Sequence, residues 1–248
     1  MQIDEYRKLA EVEDRMWYFR ALNRRIAHFL GRGGLAPGQP ARVLDAGCGT
    51  GGLIKDLRSA FPAAEVLGLD FSPRACELAR IRTGAEIVQG SITELPFPDA
   101  SFDAVVSADV VCQVEDGARA LREFARVVRP GGTVVVNVPA FRWLWSYHDD
   151  TCETKHRFTR PELGALCAAA GLRVSFASYA NLLPLPLIVA RRKWLRPSAA
   201  TSDVRLYPAP VEAIFTSMAA LEFAWMRAGL ASPLGSSVFV AARAEAGT

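Results

Sequence analysis

The sequence of 248 residues has few of the residues that build disulfide frameworks or metal sites. It contains three histidines and five cysteines, so the cysteine count is odd. The cysteines are Cys48, Cys76, Cys112, Cys152 and Cys167. Because no two of them have C-x-x-C spacing, the sequence predicts neither a disulfide framework nor a zinc site, and it fits a reducing compartment.

Long apolar runs and a strong net charge are also missing. The longest apolar stretch, Leu182 to Ala190, is interrupted by Pro184 and Pro186 and falls well short of the about 20 residues that span a bilayer. The N-terminus alternates acidic and basic residues without an apolar signal core, so we expect a cytoplasmic protein with no spanning helix. The formal net charge of +3 is too small to indicate nucleic-acid binding.

The remaining composition is that of a folded globular domain, with 50% hydrophobic and 22% charged residues. A helical pattern from Asp4 to about Leu30 ends in a run rich in glycine and proline. Helical segments then alternate with strand candidates, which are ARVLDAG, AEVLGLD, AEIVQG, FDAVVSA and GGTVVVNV. Continuous apolar strands separated by helices predict a parallel sheet that is buried on both faces.

The strand-to-helix turn VLDAGCGTGG is the most informative segment. Gly47, Gly49 and Gly52 satisfy the G-x-G-x-x-G pattern, in which glycines let a ligand lie directly against the backbone. That pattern alone also fits a nicotinamide-binding domain. Asp45 lies two residues before the first glycine, and Asp70 ends the next strand, where a carboxylate can accept both hydroxyls of a ribose.

Four segments, VLDAGCGTGG, GLDFSP, LPFPDASFDAVVSADVV and VVRPGGTVVVNVP, resemble in order and spacing the class I S-adenosylmethionine-dependent methyltransferases. The resemblance implies an α/β fold with a doubly wound, mostly parallel, Rossmann-like seven-stranded sheet whose last strand is antiparallel. We expect one domain over residues 1–248. It would comprise a helical lid over 1–34, a cofactor-binding core over 41–178, a substrate-capping insertion over 179–233, and the last strand and tail over 234–248.

The resemblance also assigns residues to the cofactor, S-adenosylmethionine. The glycine-loop residues implied for its methionine and ribose portions are Asp45, Gly47, Cys48, Gly49 and Thr50. Those implied for the ribose hydroxyls, the adenine and the methyl-donor end are Asp70, Phe71, Ser91, Ile92 and Ser107. Ser91 departs from the family pattern, which often has an acid there. In the lid, Trp17 and Arg20 would cover the cofactor.

The segment FRWLWSYHDDTCETKHRFT follows the fifth strand, at the edge of the sheet where ligands bind. We expect His148 and His156 to face the acceptor, with one of them accepting or orienting its proton. Asp149 or Asp150 would fix the imidazole tautomer. A divalent metal site and a purely structural role are the alternatives, and we predict no metal, since the family usually works without one.

Between the last two strand candidates, LLPLPLIVA precedes a basic cluster of Arg191, Arg192, Lys193 and Arg196. Apolar residues beside cations suit contact with anionic lipid at a membrane surface, or with an apolar substrate. The alternative is a helical subdomain that packs on the sheet or at a dimer interface. No pattern indicates an RNA-binding module, and the oligomeric state, monomer or homodimer, stays open.

Together these observations predict in-line methyl transfer from S-adenosylmethionine to a small-molecule acceptor that is apolar, aromatic or lipid-like. Catalysis would depend chiefly on alignment, because a sulfonium is already a strong electrophile. Two alternatives remain: a nicotinamide-dependent oxidoreductase on a similar sheet, and a module that binds S-adenosylmethionine without catalysis.

Overall fold

The computed structural model describes residues 3–194 and 202–245. These contain a seven-stranded sheet in the order β3-β2-β1-β4-β5-β7-β6. The strands are β1 (Ala41–Ala46), β2 (Ala64–Asp70), β3 (Ile87–Gln89), β4 (Phe102–Ala108), β5 (Val128–Pro139), β6 (Leu172–Ala180) and β7 (Ser237–Ala244). The first five pair in parallel, whereas β7 is antiparallel to both β5 and β6. The predicted doubly wound, mostly parallel sheet with an antiparallel last strand is confirmed.

Nine α-helices occur in the described residues. They are α1 (Ile3–Val12), α2 (Trp17–Arg32), α3 (Gly52–Ala60), α4 (Pro73–Thr83), α5 (Gly117–Val127), α6 (Tyr147–Thr151), α7 (Arg160–Ala169), α8 (Leu185–Lys193) and α9 (Ala209–Arg227). Local signals set several of their starts. Ser72 caps α4 by accepting the N–H of Ala75, and Thr159 with Glu162 forms a capping box on α7.

The N-terminal segment differs from the single helix predicted from Asp4 to about Leu30. It breaks between α1 and α2, where Met16 takes an extended conformation (φ −67°, ψ 130°). The break turns the Glu13 side chain inward, where it accepts hydrogen bonds from Thr50 and Arg82. A continuous helix would not let α1 lie along α4 while α2 packs on α3 and α9.

Apolar side chains cover both faces of the sheet, which explains why β1, β2 and β4 are apolar without alternation. One core cluster joins the sheet to α5 and α7, through residues such as Phe124 and Leu163. The other joins it to α2, α3 and α4, through residues such as Ile26 and Ile54. Both faces of the sheet are therefore buried, which leaves its carboxyl-end edge as the place for a binding site.

The segment between β6 and β7 contains α8 and α9, and α9 packs against α2. Met16 and Trp17 at the start of α2 form a small apolar cluster with Phe215 and Ala219 of α9. Arg196, the fourth residue of the predicted basic cluster, lies outside the described residues. Within the described parts of the chain, none of the helices is both long and apolar enough to cross a membrane.

Candidate functional site

A cavity of about 770 Å³ lies at the carboxyl ends of the parallel strands. Each of the first five strands contributes a residue to its wall at or just after its end: Gly47, Asp70, Ser91, Asp109 and Pro139. Its volume is toward the upper end of the range of about 300–1,000 Å³ for small-molecule sites. The position is the one where doubly wound sheets bind ligands.

The glycine loop forms one wall of this cavity. The N–H groups of Gly47 and Cys48 donate to the carbonyl of Leu69, 2.7 and 2.9 Å away. Gly47 has φ +96°, and a β-carbon on it would lie 2.3 Å from a methyl of Val110, so this position requires glycine. A β-carbon on Gly49 would meet only Leu9 of α1, at 3.6 Å. The loop thus presents bare backbone to the space beneath α1.

Asp45 is a buried carboxylate on the cavity wall, and its Oδ2 has no hydrogen-bond partner among the described residues. Burial raises the pKa of Asp45 to about 8, and the negative charges of Asp70 and Glu13 add to this effect. An unpaired buried carboxylate is costly unless a cation or donor meets it. The ammonium group of S-adenosylmethionine fits this requirement.

Asp70 ends β2 with both oxygens aligned by backbone donors. Its Oδ2 accepts the N–H of Gly49 and its Oδ1 the N–H of Ser72, each at 2.9 Å. Burial raises the pKa of Asp70 while these two bonds lower it. A carboxylate has about four lone-pair sites, so Asp70 retains acceptors for a pair of ribose hydroxyls.

The residues that the resemblance implies for the adenine also line the cavity. The side chain of Phe71 is 79% exposed at the rim, and Ile92 is buried in the wall. The Ser91 hydroxyl lies 2.8 Å from the hydroxyl of Thr93. Trp17 of α2 also lines the cavity and stacks on Phe215, with ring centroids 5.0 Å apart.

Three residues predicted to bind the cofactor do not line this cavity. The Thr50 hydroxyl donates to Glu13 at 2.6 Å and so ties α1 to the glycine loop. The Ser107 hydroxyl donates to the carbonyl of Ala46 at 3.0 Å, which joins β4 to β1. Arg20 is exposed on α2. The hydroxyls of Thr50 and Ser107 are thus already hydrogen-bonded within the fold. The side chain of Arg20 lies on the solvent side of α2.

His148 lines the cavity, and its ring already has a hydrogen-bond partner. Its Nδ1 accepts the backbone N–H of Asp203 at 3.1 Å, so the neutral ring carries its proton on Nε2. Burial, reinforced by the positive charge of Arg192, lowers the pKa of His148 to about 4. The imidazole is therefore neutral at pH 7, with its proton on Nε2 and its other nitrogen occupied by the N–H of Asp203.

Asp149 and Asp150 do not set the tautomer of His148. Asp149 forms a buried ion pair with Arg157, whose Nε is 2.7 Å from Oδ1, and it also caps α6 at Ser146. Asp150 accepts the indole N–H of Trp145 at 2.9 Å. The backbone of Asp203, far along the chain, performs the role predicted for the neighbouring acids.

His156 does not share the cavity with His148. Its Nε2 lies 2.6 Å from a carboxylate oxygen of Glu162, the residue that completes the capping box of α7. The side chain is half-exposed and packs edge-to-face on Phe158. The chain turns between α6 and α7, and this turn directs His156 to the outer surface.

Asp109 is a cavity residue that the sequence analysis did not identify. It follows β4 with φ +60°, an uncommon conformation for a residue other than glycine. Its Oδ2 accepts the hydroxyl of Tyr18 at 2.6 Å and its Oδ1 the amide of Asn137 at 2.8 Å. Burial raises its pKa. The sequence pattern that could have identified Asp109 is an acidic residue at the end of an apolar strand, the same pattern that identified Asp70.

Among the described residues, no cluster of three or more His, Cys, Asp or Glu side chains has an arrangement that could hold a metal ion.

Residues 44–136 match a protein family described as "Methyltransferase domain". The matched span runs from β1 through most of β5 and contains the glycine loop, Asp45 and Asp70. Over this span the chain is similar to the class I S-adenosylmethionine-dependent methyltransferases. S-adenosylmethionine is the methyl donor of this methyltransferase family, and the unpaired Asp45, the bare glycine loop and Asp70 fit it.

Curated relatives match part of the chain, and solved structures share its fold. A demethylmenaquinone methyltransferase of Deinococcus radiodurans is 37% identical over 128 residues, which are 50% of this chain and 49% of that protein. The chain thus spans about half the length of the curated methyltransferases it matches. A chain in the complex of the Haloferax volcanii Trm112 activator with a methyltransferase superposes with a TM-score of 0.65 and 22% identity, over 99% of this chain and 95% of that one.

The same fold also occurs in a geranyl diphosphate C-methyltransferase of Streptomyces coelicolor, with a TM-score of 0.61 and 18% identity over 91% of this chain and 80% of that one. At such identities the likeness concerns the fold alone. The family match ends at residue 136, so α8, α9 and the wall around His148 lie beyond it.

Proposed function

We propose that this chain binds S-adenosylmethionine and transfers its methyl group to a small molecule with an apolar or aromatic body. One observation carries the proposal: a single cavity joins Asp45 and Asp70 to a chamber lined by residues of α8 and α9, such as Ile188 and Phe215. A cofactor held at the strand ends leaves this chamber for a second molecule. The relatives named demethylmenaquinone methyltransferases support a small-molecule acceptor.

When bound, the sulfonium of S-adenosylmethionine supplies an electrophilic methyl group. The tasks left to the chain are alignment of the acceptor, exclusion of water and removal of a proton. Asp45 would bind the ammonium group and Asp70 the ribose hydroxyls. The pair Trp17 and Phe215 would exclude water from the chamber, because both rings are buried on its wall.

Asp109 is the group that we assign to accept the acceptor's proton. It lines the cavity at the end of β4, and burial raises its pKa, which makes its carboxylate a stronger base than an exposed one. The donors Tyr18 and Asn137 hold each oxygen in position and leave lone pairs for the acceptor. An oxygen or nitrogen nucleophile would lose its proton to Asp109 as its bond to the methyl carbon forms.

His148 would orient the acceptor through its Nε2–H. Its bond from Asp203 and its lowered pKa argue against the base role predicted from the sequence. His156 is further disfavoured by its pairing with Glu162. We therefore expect Asp109→Asn to lower turnover by about 10²–10⁴-fold, the range for general acid–base catalysis, and His148→Phe to lower it less.

Two measurements test the proposal. Calorimetric titration compares S-adenosylmethionine with NAD, and binding of NAD alone would instead favour an oxidoreductase. Transfer of labelled methyl groups into a solvent extract of the source cells then tests catalysis, with the Asp109→Asn and His148→Phe variants in parallel. Cofactor binding without any transfer would favour a non-catalytic module. Equal transfer by both variants and the unaltered chain would exclude Asp109 as the base.

Peripheral contact with anionic lipid is a further part of the proposal. Trp194, directly after α8, is 79% exposed, and Leu187 is 52% exposed. Flotation with vesicles that contain or lack phosphatidylglycerol tests this contact. If the chain floats with neither kind of vesicle, α8 serves only the cavity.

The oligomeric state is a separate question, and light scattering distinguishes a monomer from a homodimer.

A further inference from the structure

One face of α8 changes from apolar to cationic along the helix. Leu187, Ile188, Arg191 and Arg192 all line the cavity. Residues four apart lie on the same side of a helix, so the two arginines follow the two apolar residues by one turn. The same wall of the chamber therefore carries an apolar surface next to two guanidinium groups.

These two guanidinium groups share one carboxylate. Asp203 accepts Nε–H of Arg191 on Oδ1 and Nε–H of Arg192 on Oδ2, each at 2.9 Å. Its Oδ1 also accepts the hydroxyl of Tyr147 at 2.7 Å. These contacts lower the pKa of Asp203, so it is ionised at neutral pH. Among residues 3–194 and 202–245, no second carboxylate forms an ion pair with either arginine, which leaves one positive charge in excess.

The neighbouring Arg157 is an arginine whose guanidinium nitrogens all donate hydrogen bonds. Its Nε and Nη2 donate to the two oxygens of Asp149, at 2.7 and 3.1 Å, and its Nη1 donates to the carbonyl of Ala140 at 2.7 Å. In contrast, Arg191 and Arg192 make described side-chain hydrogen bonds only through Nε. Their terminal amino groups keep donors in the fork geometry that matches a carboxylate or phosphate.

The excess charge acts inside the cavity. Arg192 is 9% exposed, and its charge lowers the pKa of both His148 and Arg157. A buried charge without a full partner costs free energy, which a bound anion would recover. Because Arg192 is buried, solvent does little to screen its positive charge.

We propose that the acceptor is an amphipathic anion, and that Arg191 and Arg192 bind its carboxylate or phosphate while its apolar body lies against α8 and α9. The body would contact Ile188 of α8, Phe215 of α9 and Trp17. This inference rests on the proposed function, because it names the substrate class of the same cavity. Anchoring at the anion would fix where the reacting atom lies relative to the methyl donor.

Three probes of equal chain length test the proposal: octanoate, octyl phosphate and octanol. Each is titrated into the chain saturated with S-adenosylhomocysteine. We expect one or both anions to bind at least tenfold more tightly than octanol, and their ratio identifies the preferred head group. Octanol binding as tightly as both anions would overturn the proposal.

The double variant Arg191→Gln/Arg192→Gln removes both positive charges and leaves the negative charge of Asp203. We expect its affinity for the preferred anion to fall about tenfold to a hundredfold, as for loss of charge-assisted hydrogen bonds, with octanol unaffected. Arg122→Gln is the control, because Arg122 is an exposed arginine of α5 with a carboxylate neighbour. Unchanged anion affinity in the double variant would contradict the proposal.

Two further measurements keep the outcomes distinct. Arg191→Lys/Arg192→Lys retains both charges and contact with Asp203 but loses the fork, so it should fold and still bind anions more weakly. Titration of S-adenosylmethionine alone tests the proposed function separately. If it fails to bind, that function fails, whereas the three probes titrated into the chain without S-adenosylhomocysteine still measure anion selectivity. Binding to phosphatidylglycerol vesicles but not to octyl phosphate would assign the arginines to a membrane surface and overturn the proposal.

Discussion

Replacing Asp45 with asparagine tests whether this carboxylate binds the ammonium group of the cofactor. Its pKa of about 8 means that most Asp45 side chains are protonated at pH 7 in the free protein. A cation that pairs with the carboxylate stabilises the ionised form, so binding must release a proton. Affinity for S-adenosylmethionine therefore rises with pH until the pH reaches about 8.

The size of the effect follows from the pKa. Each pH unit below about 8 reduces the ionised fraction about tenfold, so we expect affinity to fall about tenfold between pH 7 and pH 6. The rise in affinity ends near the ordinary pKa of an α-amino group, about 7.7–8.0, because above it the ammonium group of the ligand loses its positive charge. In the Asp45→Asn variant the affinity should be weaker at pH 7 and nearly independent of pH.

Calorimetry in two buffers of different ionisation enthalpy measures both the affinity and the proton released. We expect nearly one proton per bound cofactor at pH 6.5 in the unaltered chain, and none in the variant. Glu115→Gln, at a side chain that is 83% exposed, is the control and should behave as the unaltered chain. An unaltered chain whose affinity is constant from pH 6 to pH 7, with no proton release, would refute the reasoning.

The same substitution has a readout without ligand. The folded chain keeps the proton of Asp45 up to pH about 8, whereas the unfolded chain loses it near pH 4, so the free energy of unfolding falls as pH rises between these values. Asparagine removes this loss. We expect the variant to be more stable than the unaltered chain at pH 8, by as much as a few kcal/mol, and equally stable at pH 4.

Other substitutions test the remaining parts of the site. Asp70→Ala should weaken cofactor binding by roughly 1–3 kcal/mol, because ribose hydroxyls would lose their acceptors, and unchanged affinity in calorimetry would contradict this placement of the cofactor. Gly49→Val should weaken binding more, since φ +53° disfavours valine and its side chain would occupy ligand space. Asp149→Asn should lower the free energy of unfolding by about 3–5 kcal/mol in urea denaturation, because Arg157 would keep an unpaired buried charge. Asp150→Asn, at an exposed neighbour, is its control, and equal losses in the two variants would show that the buried pair adds no stability.

Local signals explain why much of the fold could be predicted from the sequence. Apolar runs such as those of β1 and β4 identify buried strands, and Ser72 followed by Pro73 marks a helix start wherever it stands. The glycine loop could be predicted for the same reason, since Gly47 needs a conformation that few other residues adopt. The placement of Asp70 on the cavity wall follows from its position at the end of a parallel strand.

Contacts between distant parts of the chain could not be predicted in this way. Tyr18 and Asp109 are 91 residues apart, and His148 and Asp203 are 55 apart, yet each pair forms a hydrogen bond. The sequence alone determined the sheet, the glycine loop and the positions of Asp45 and Asp70, because turn chemistry and apolar periodicity act over a few residues. Only the tertiary structure decided which histidine reaches the cavity and that His148 is a donor, because burial and the partners of a ring depend on how distant segments pack.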